Sequence, residues 1–362
     1  MNRYANILLL LLTTVCSCQR PELWMYTDEF RQVGLTIDWS RCTNEPTSMT
    51  ACFFPADSAT DTRQYVTNDV TALSFNLPRG QYTGLVFSYS AEEYGHQELI
   101  DMDQAGRAAV RLRLLPEQPG PDDELYGSKA VTPHADGLSV NPATGMYLVS
   151  YTPEDMASAI ITGMDIVTGS EGDLIRYDER KTFEAGLQQQ QYSCQPLPFV
   201  WQLKISIYVE ELQYYYAARA SVAGFSNAYR FVDGKNSTGT ALLSADNWQT
   251  EPLTATTGYL TTTISVFGLP GATAQELPQL QAEDIRLNLQ IMLRDRSTVK
   301  TYHYNVGLLF LPADSHTLQA SITLGDDEPA HPVLPYADEF NAAGFNATVD
   351  PWNNREPTDI PL

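Results

Sequence analysis

Histidines are the side chains best suited to acid–base or metal chemistry near neutral pH, and this sequence scatters its 5 histidines widely. The tripeptide His96-Gln97-Glu98 comes nearest to a metal or acid–base pair, because it sets an imidazole and a carboxylate two residues apart. The downstream cysteines of a zinc deaminase do not follow it. A solvated helix end explains this tripeptide better than a catalytic pair does.

Motifs of the common enzyme classes are absent from the sequence. It contains no G-x-S-x-G nucleophile turn, no G-x-x-x-x-G-K-[ST] phosphate loop and no H-E-x-x-H zinc helix. A glycosidase with its two carboxylates on different strands would leave no local motif, and the 44 acidic residues are too many to nominate a pair. We therefore predict a protein that is not an enzyme and has neither cofactor nor metal.

Two cysteines near the N-terminus predict how the mature protein is attached. Residues 7–12 form an apolar run far shorter than the about 20 residues of a membrane-spanning helix, which indicates a secretory signal. In Val15-Cys16-Ser17-Cys18 an aliphatic, a variable and a small residue precede Cys18, as in a bacterial lipoprotein signal. Cys16 fits less well as the lipid acceptor, because bulky Val15 would stand where the signal peptidase requires a small side chain.

We thus predict a signal peptide over residues 1–17, lipid attachment at Cys18 and an anchored segment over residues 18–29. A plain secreted protein with incidental early cysteines is the alternative. The net charge of -22 repels nucleic-acid phosphates and anionic lipid head groups, so nucleic-acid binding is excluded. Contact with the membrane is expected through the N-terminal lipid, since each buried CH₂ contributes about 0.8 kcal/mol.

Apolar residues alternate with period two through much of the chain, which predicts β-strands. Stretches 33–39, 201–209 and 285–293 each place large apolar side chains on one face only. Strands with one buried face and one solvent-exposed face are typical of antiparallel sandwiches. We predict an all-β fold of antiparallel β-sandwiches with minor helix, the helices lying at 91–98 and 153–161.

A segment rich in proline, glycine and acid, residues 116–133, has the composition of a linker. It divides a predicted N-terminal β-sandwich, 30–115, from a C-terminal β-sandwich, 134–362. In the second unit, a turn at 294–297 predicts a hairpin between 285–293 and 299–306. Alternating Phe345, Ala347 and Val349 predict a terminal strand segment.

Cys42, Cys52 and Cys194 remain in the mature chain, in a compartment that permits disulfides. If 33–39 and 49–54 form a hairpin, Cys52 lies near Ile37 and away from Cys42, which disfavours a Cys42–Cys52 bridge. Because three thiols cannot all pair within one chain, at least one is expected to be buried as a small apolar group.

Several stretches resemble a fimbrillin-like family of Bacteroidales lipoproteins. They are ELWMYTDEFRQVGLTIDWS, MTACFFPAD, LPRGQYTGLVFSYSAEEY, MDQAGRAAVRL and the terminal GFNATVDPWNN. The resemblance implies two tandem β-sandwiches of transthyretin-like topology, held to the outer membrane by lipid and related to subunits or anchors of surface fimbriae. It also implies partners that are other fimbrial subunits, added by strand donation. Arg20 and Arg31 are the basic residues where processing would cut, although the chain could equally stay uncut as an anchor.

Two further expectations concern sugars. Asp57-Ser58-Ala59 matches the short O-glycosylation motif of exported Bacteroidales proteins, which makes Ser58 a candidate acceptor; a plain solvated turn is the alternative. A surface glycan-binding lipoprotein is the alternative function. Its aromatic platform would be drawn from Trp201, Tyr214, Tyr215, Tyr216, Trp248, Tyr259 and Trp352. Aromatics at strand spacing are more often core, but alternation turns at least one ring of 214–216 to solvent.

Overall fold

The computed structural model describes residues 24–26, 30–57, 61–120, 140–143, 146–166, 174–176, 190–273, 281, 284–309, 311–314, 317–322 and 330–338. The signal peptide, Cys18, Ser58 and the predicted terminal strand at 345–349 lie outside these residues. Among the described residues, no helix is both long enough and apolar enough to cross a membrane.

The described residues form β-strands and no α-helix, which confirms the predicted all-β class. In chain order the strands are β1 (Trp24–Tyr26), β2 (Phe30–Ile37), β3 (Met49–Pro55), β4 (Arg63–Thr67), β5 (Ala72–Pro78), β6 (Gly80–Ser88), β7 (Gln97–Ile100), β8 (Ala109–Leu112), β9 (Val149–Ser150), β10 (Ala157–Ile166), β11 (Leu174–Arg176), β12 (Gln190–Cys194), β13 (Leu197–Pro198), β14 (Trp201–Glu210), β15 (Tyr215–Ser226), β16 (Ala228–Arg230), β17 (Lys235–Asn236), β18 (Thr240–Ala245), β19 (Gln249–Pro252), β20 (Thr257–Val266), β21 (Arg286–Leu293), β22 (Val299–Asn305), β23 (Leu311–Asp314) and β24 (Thr317–Ile322). Single 3-10 turns cover Leu212–Tyr214 and Gly307–Leu309.

The helices predicted at 91–98 and 153–161 are wrong. β7 begins at Gln97, and β10 starts at Ala157 and pairs with β6 along its length. The start of β10 carries Ile160 and Ile161, whose branched side chains favour the pleated surface of a sheet. Pairing with β6 therefore overrides the helix-forming composition that precedes it.

The strands assemble into five sheets and one isolated pair. Their orders are β12-β2-β5 (sheet I), β13-β10-β6-β3-β4 (sheet II), β17-β16-β8-β7 (sheet III), β19-β20-β14-β24-β23 (sheet IV), β22-β21-β15-β18-β9 (sheet V) and the pair β1-β11. Most neighbours are antiparallel; β12 with β2, β24 with β14 and β9 with β18 are parallel.

Sheets I and II pack face to face as the first sandwich. Phe53 of β3 stacks on Phe75 of β5 with ring centroids 4.3 Å apart, and Val33 and Leu35 of β2 are buried in the same core. The hairpin considered between 33–39 and 49–54 does not form, since β2 belongs to sheet I and β3 to sheet II. β3 lies between β4 and β6 and is buried along almost its whole length, as a central strand must be.

Sheet II is covered on its second face as well. Phe54 and Phe87 point away from the first core and enter a larger cluster with residues of sheet III. Phe87 lies parallel to Phe231, with ring centroids 5.9 Å apart. This larger cluster continues into the space between sheets IV and V, which form the second sandwich.

The second sandwich confirms two predicted strands and one hairpin. β14 buries Leu203, Ile205 and Ile207 and leaves Lys204 exposed, as the alternation predicts. β21 pairs with β22 in the predicted hairpin.

The polar face of β21, which the alternation predicts to be exposed to solvent, is buried. Asn288 and Gln290 are 1% and 4% exposed. The Asn288 side chain donates to Ser221 Oγ at 3.2 Å, and Gln290 Oε1 accepts from Arg219 Nε at 3.0 Å. These bonds across β15 and β21 offset the cost of removing the amides from water.

Strand pairing does not divide the chain at 116–133. β10, β12 and β13 follow that segment in sequence but complete sheets I and II. β7 and β8 precede it but share sheet III with β16. The boundary expected between 30–115 and 134–362 therefore differs from the boundary between the sandwiches, because long-range pairing places β10 beside β6.

Candidate functional site

A polar groove opens between the two sandwiches, and its floor is the outer face of sheet IV. Successive side chains alternate across β14, so Gln202 and Lys204 point outward while Leu203 is buried. The strand register sets Thr317 of β24 beside Gln202 and Thr263 of β20 beside Lys204. Four polar side chains from three strands thus form one patch.

The loop that follows β2 forms one wall of the groove. The indole Nε1 of Trp39 donates to the Val70 carbonyl at 2.7 Å, and the ring is 6% exposed. The backbone N–H of Cys42 donates back to the Trp39 carbonyl at 2.8 Å. This anchored turn carries Arg41, an exposed cation that lines the groove.

Tyr89 and Asp155 also line the groove. Tyr89 has a φ of 64°, a left-handed conformation that is uncommon for a bulky residue. Its N–H donates to the Ser48 carbonyl and its carbonyl accepts from Thr50 Oγ1, both at 2.8 Å. Burial raises the pKa of the Tyr89 hydroxyl, and the nearby Asp155 carboxylate adds to the increase.

The groove has a volume of about 430 Å³, which is within the usual range for small-molecule sites. Within the described ranges, neither Arg41 nor Lys204 lies within ion-pair distance of a carboxylate. The lining combines these two cations with the carboxylate of Asp155. The carboxylates of Asp155, Asp38 and Glu93 also act on the Cys42 and Tyr89 side chains that line the groove.

Strand edges are the second kind of interaction surface. Tyrosine hydroxyls link the two sheets of the first sandwich. Tyr65 of β4 donates to the Asn76 carbonyl of β5 at 3.0 Å, and Tyr192 of β12 donates to the Asp165 carbonyl of β10 at 3.3 Å. In the described structure, no strand pairs with the outer side of β22, which is one of several edge strands. β22 has 7 residues in unbroken register with β21, so its free edge is regular enough to accept another strand.

The aromatic residues proposed as a sugar platform do not form one. Trp201 is buried, Trp248 donates to the Ala245 carbonyl at 2.8 Å, and Trp352 lies outside the described residues. Tyr214 and Tyr215 pack on the core, and Tyr216 is the exposed ring of the triplet, 36% accessible. The Arg296 guanidinium sits over the Tyr216 ring, 4.4 Å from its centroid, so that face is occupied.

The tripeptide His96-Gln97-Glu98 is also not brought together as a catalytic pair. The His96 ring stacks on Tyr151 with centroids 4.5 Å apart, whereas Glu98 pairs with Arg111. Gln97 is fully buried between them in β7. Where the chain is described, no three of its His, Cys, Asp and Glu side chains are grouped so as to hold a metal.

Comparison with protein families identifies one match, over residues 17–243. The matched family is described as Domain of unknown function (DUF5119), and the match covers more than half of the 362 residues. The chain belongs to the DUF5119 family. No curated protein matches this DUF5119 chain.

Solved structures from Bacteroides and Porphyromonas match this chain. A candidate adhesin from Bacteroides ovatus has a TM-score of 0.55 at 11% identity, covering 85% of this chain and 93% of that one. The fimbrial anchor protein Mfa2 of Porphyromonas gingivalis has a TM-score of 0.41 at 11% identity, covering 81% and 90%. The tip fimbrial protein Mfa3 of the same organism has a TM-score of 0.33 at 11% identity, covering 82% and 96%. The likeness to the Bacteroides ovatus protein shows the fold.

The three cysteines among the described residues of the DUF5119 chain, Cys42, Cys52 and Cys194, are free thiols. Cys52 is 1% exposed and lies in the larger cluster, on the side of sheet II opposite the core of the first sandwich. Cys42 and Cys194 are half-buried against the first core. Cys42 and Cys52 do not form a disulfide, because the two thiols pack into separate clusters. The reason considered from the sequence, a hairpin that holds them apart, does not apply.

We expect these thiols to react slowly with a thiol reagent in the folded protein. Burial raises the pKa to about 12 for Cys52 and Cys194, and to about 11 for Cys42, where Asp155 adds to the effect. At about pH 8 only about one Cys42 in a thousand is then a thiolate. Peptide-resolved mass spectrometry should show Cys42 labelled first and Cys52 last, with all three fast in urea. Equal rates for Cys42 and Cys52 in the native protein would contradict this order.

Sequence reasoning missed Arg41, Lys204 and Tyr89 as site residues. The outward position of Lys204 could have been predicted from the alternation in 201–209. The approach of the Arg41 loop to sheet IV depends on packing between sandwiches, for which no local pattern exists.

Proposed function

We propose that this DUF5119 protein is a non-catalytic, lipid-anchored protein of the outer membrane and cell surface. It serves as a subunit or anchor of surface fimbriae and takes part in assembly or adhesion. The fold shared with a candidate adhesin supports the proposal, and so do the lipoprotein-type signal and Cys18.

The observation that carries the proposal is the open edge of β22. A partner strand added there would form main-chain hydrogen bonds along Val299–Asn305, with affinity from the backbone and specificity from alternate side chains. Tyr302 is half-buried and His303 is exposed, so the edge offers a mixed apolar and polar surface. The partner expected from this geometry is an extended segment of another fimbrial subunit.

Immunogold electron microscopy on intact cells tests the proposal. Label along filaments or at their bases supports a fimbrial role. Label that appears only after permeabilisation would place the protein on the periplasmic side and overturn adhesion. A Val299→Pro, Thr301→Pro variant blocks strand addition at the edge and should lose filament label while keeping membrane attachment.

Lipid attachment has a matched pair of variants for its test. We expect Cys18→Ala to move the protein from the detergent phase to the aqueous phase in a phase-partition assay and to abolish incorporation of labelled palmitate. Cys16→Ala should leave both unchanged, because residue 16 departs with the signal peptide. Loss of lipid in Cys16→Ala with retention in Cys18→Ala would assign the acceptor to Cys16 instead.

A further inference from the structure

We propose that sheet I binds a neutral glycan chain on its solvent-exposed side, through hydrogen bonds and one exposed aromatic ring. This surface, the polar face of sheet I, lies on the side of β12, β2 and β5 opposite the core of the first sandwich. The role of such binding rests on the proposed function, because adhesion requires a surface location. Binding itself depends only on the folded chain, so it is tested separately from location.

Strand register determines which side chains share the polar face of sheet I. Val33, Leu35 and Ile37 of β2 are buried in the first core, so the residues that alternate with them point to the opposite side. The rows of neighbours on that side are Phe30 with Pro78, Gln32 with Asn76, Gln191 with Gly34 and Ser74, and Ser193 with Thr36 and Ala72. All of these residues except Gly34 and Pro78 are exposed.

The rows of the polar face carry no charge, although the chain has 22 cations and 44 acids. Beyond them, Asp38 follows the end of β2, where its carboxylate accepts hydrogen bonds from the Ser40 N–H at 3.0 Å and from Gln195 Nε2 at 2.8 Å. Within its rows the face therefore offers a charged ligand no partner of opposite sign. The net charge of -22 also opposes contact with a second copy of the chain or with an anionic polymer. An uncharged ligand fits this surface best.

Side-chain amides on the polar face match the hydroxyls of a sugar. A hydroxyl both donates and accepts hydrogen bonds, and an amide does the same. Two of the amides are held by neighbours. Gln32 Nε2 donates to Ser74 Oγ at 3.1 Å. Gln191 lies across Gly34, where a Cβ would be 2.4 Å from Gln191 Oε1, so the missing side chain lets this amide lie against the sheet. Groups already held in place lose less conformational entropy when they bind.

Phe30 supplies an apolar ring in the row next to Gln32. The ring is 50% exposed and lies beside Pro78 of β5. The C–H groups on one side of a pyranose can pack on such a ring while the hydroxyls bond to the neighbouring amides. A stable protein partner would instead need a central cluster of apolar anchors, which one ring among amides does not provide. The combination of groups therefore favours a glycan over a protein.

Affinity electrophoresis of the purified full-length protein in detergent tests the inference. Native gels contain soluble starch, galactomannan or xyloglucan as neutral polymers, or polygalacturonate as an anionic one, and calorimetry gives the Kd. We expect at least one neutral polymer to retard the protein and polygalacturonate to leave it unretarded. The double variant Phe30→Ala, Gln32→Ala should weaken binding at least about tenfold. The control Gln249→Ala, Tyr336→Ala removes an exposed amide and an exposed ring from outside sheet I and should bind normally.

Four results would overturn the inference. These are no retardation by any neutral polymer, equal retardation by polygalacturonate, unchanged binding in the double variant, and a dimer in analytical ultracentrifugation that the double variant dissociates. The last result would assign the face to a second copy of the chain. If the double variant fails to fold by near-ultraviolet circular dichroism, Asn76→Ala decides the matter: it removes one exposed amide and should weaken binding.

The outcomes for binding and for location are distinguishable. Polysaccharide binding by the purified protein with no label on intact cells would overturn the surface role and leave the polar face assigned to a glycan. Filament label with no polysaccharide binding would overturn this inference and leave the fimbrial role standing.

Discussion

Replacing Gly224 by alanine is expected to destabilise the protein by about 3–5 kcal/mol. Gly224 has a φ of +114°, which L side chains rarely adopt, and a Cβ there would lie 2.0 Å from the Asp284 carbonyl oxygen. It would also lie 2.9 Å from Ile285 Cδ1. Because the carbonyl belongs to the backbone beside β21, either β15 or the entry to β21 must shift. Urea denaturation monitored by tryptophan fluorescence measures the loss.

Two other glycines separate the clash from the backbone strain. Gly163 has a φ of +70°, and no atom lies within 4 Å of the position that a Cβ would take, so Gly163→Ala should show strain alone, about 1 kcal/mol. Gly106 has neither a positive φ nor a close neighbour, and Gly106→Ala should change the free energy of unfolding by less than about 0.5 kcal/mol. Equal losses in Gly224→Ala and Gly163→Ala would show that sheet V absorbs the clash.

The second large effect is expected at Phe199, where Phe199→Ala should cost about 3–5 kcal/mol. The ring is fully buried and lies parallel to Tyr229, with centroids 3.9 Å apart, and edge-on to Phe231 at 6.0 Å. The ring centroid of Phe267, in the second sandwich, lies 6.1 Å from that of Phe199. Phe199 thus joins sheet III to the core between sheets IV and V, and its loss leaves a cavity shared by both.

Two milder substitutions serve as comparisons for Phe199→Ala. Phe199→Leu keeps most of the volume and should cost less than half as much. Phe30 is 50% exposed, so Phe30→Ala removes a ring of the same size at a cost of about 1 kcal/mol or less. A Phe199→Ala protein as stable as Phe30→Ala would mean that the cluster collapses to fill the space. Thermal and urea unfolding measure all three variants.

The sequence was a good guide wherever one strand has one wet face. The alternation of 201–209 correctly predicted β14, because burial on a single face imposes period two. The alternation of 285–293 also predicted β21, although both faces of that strand are buried in the structure. The turn at 294–297 predicted the hairpin, since Asp295 accepts hydrogen bonds from the backbone of Ser297 and Thr298 within that turn.

Long-range partners were beyond the reach of local patterns. Nothing in 33–39 or 49–54 shows that β2 and β3 lie in different sheets, because adjacent strands are equally compatible with a hairpin. The buried face of Asn288 and Gln290 looks polar in sequence, yet partners on β15 satisfy it. The groove was missed for the same reason: Arg41 and Lys204 are 163 residues apart in sequence and line one groove only because the sandwiches pack together.

The parallel pairing of β12 with β2 also bears on how the protein folds. Asp38 and Gln195, bonded at the end of this pair, are 157 residues apart in sequence. Closing such a loop costs entropy before the contacts between β2 and β12 offset it, and topologies rich in distant contacts fold slowly. The first sandwich therefore cannot be completed until residues 190–194 have been synthesised. Until then β2 has an unpaired edge, where a growing chain is prone to aggregate.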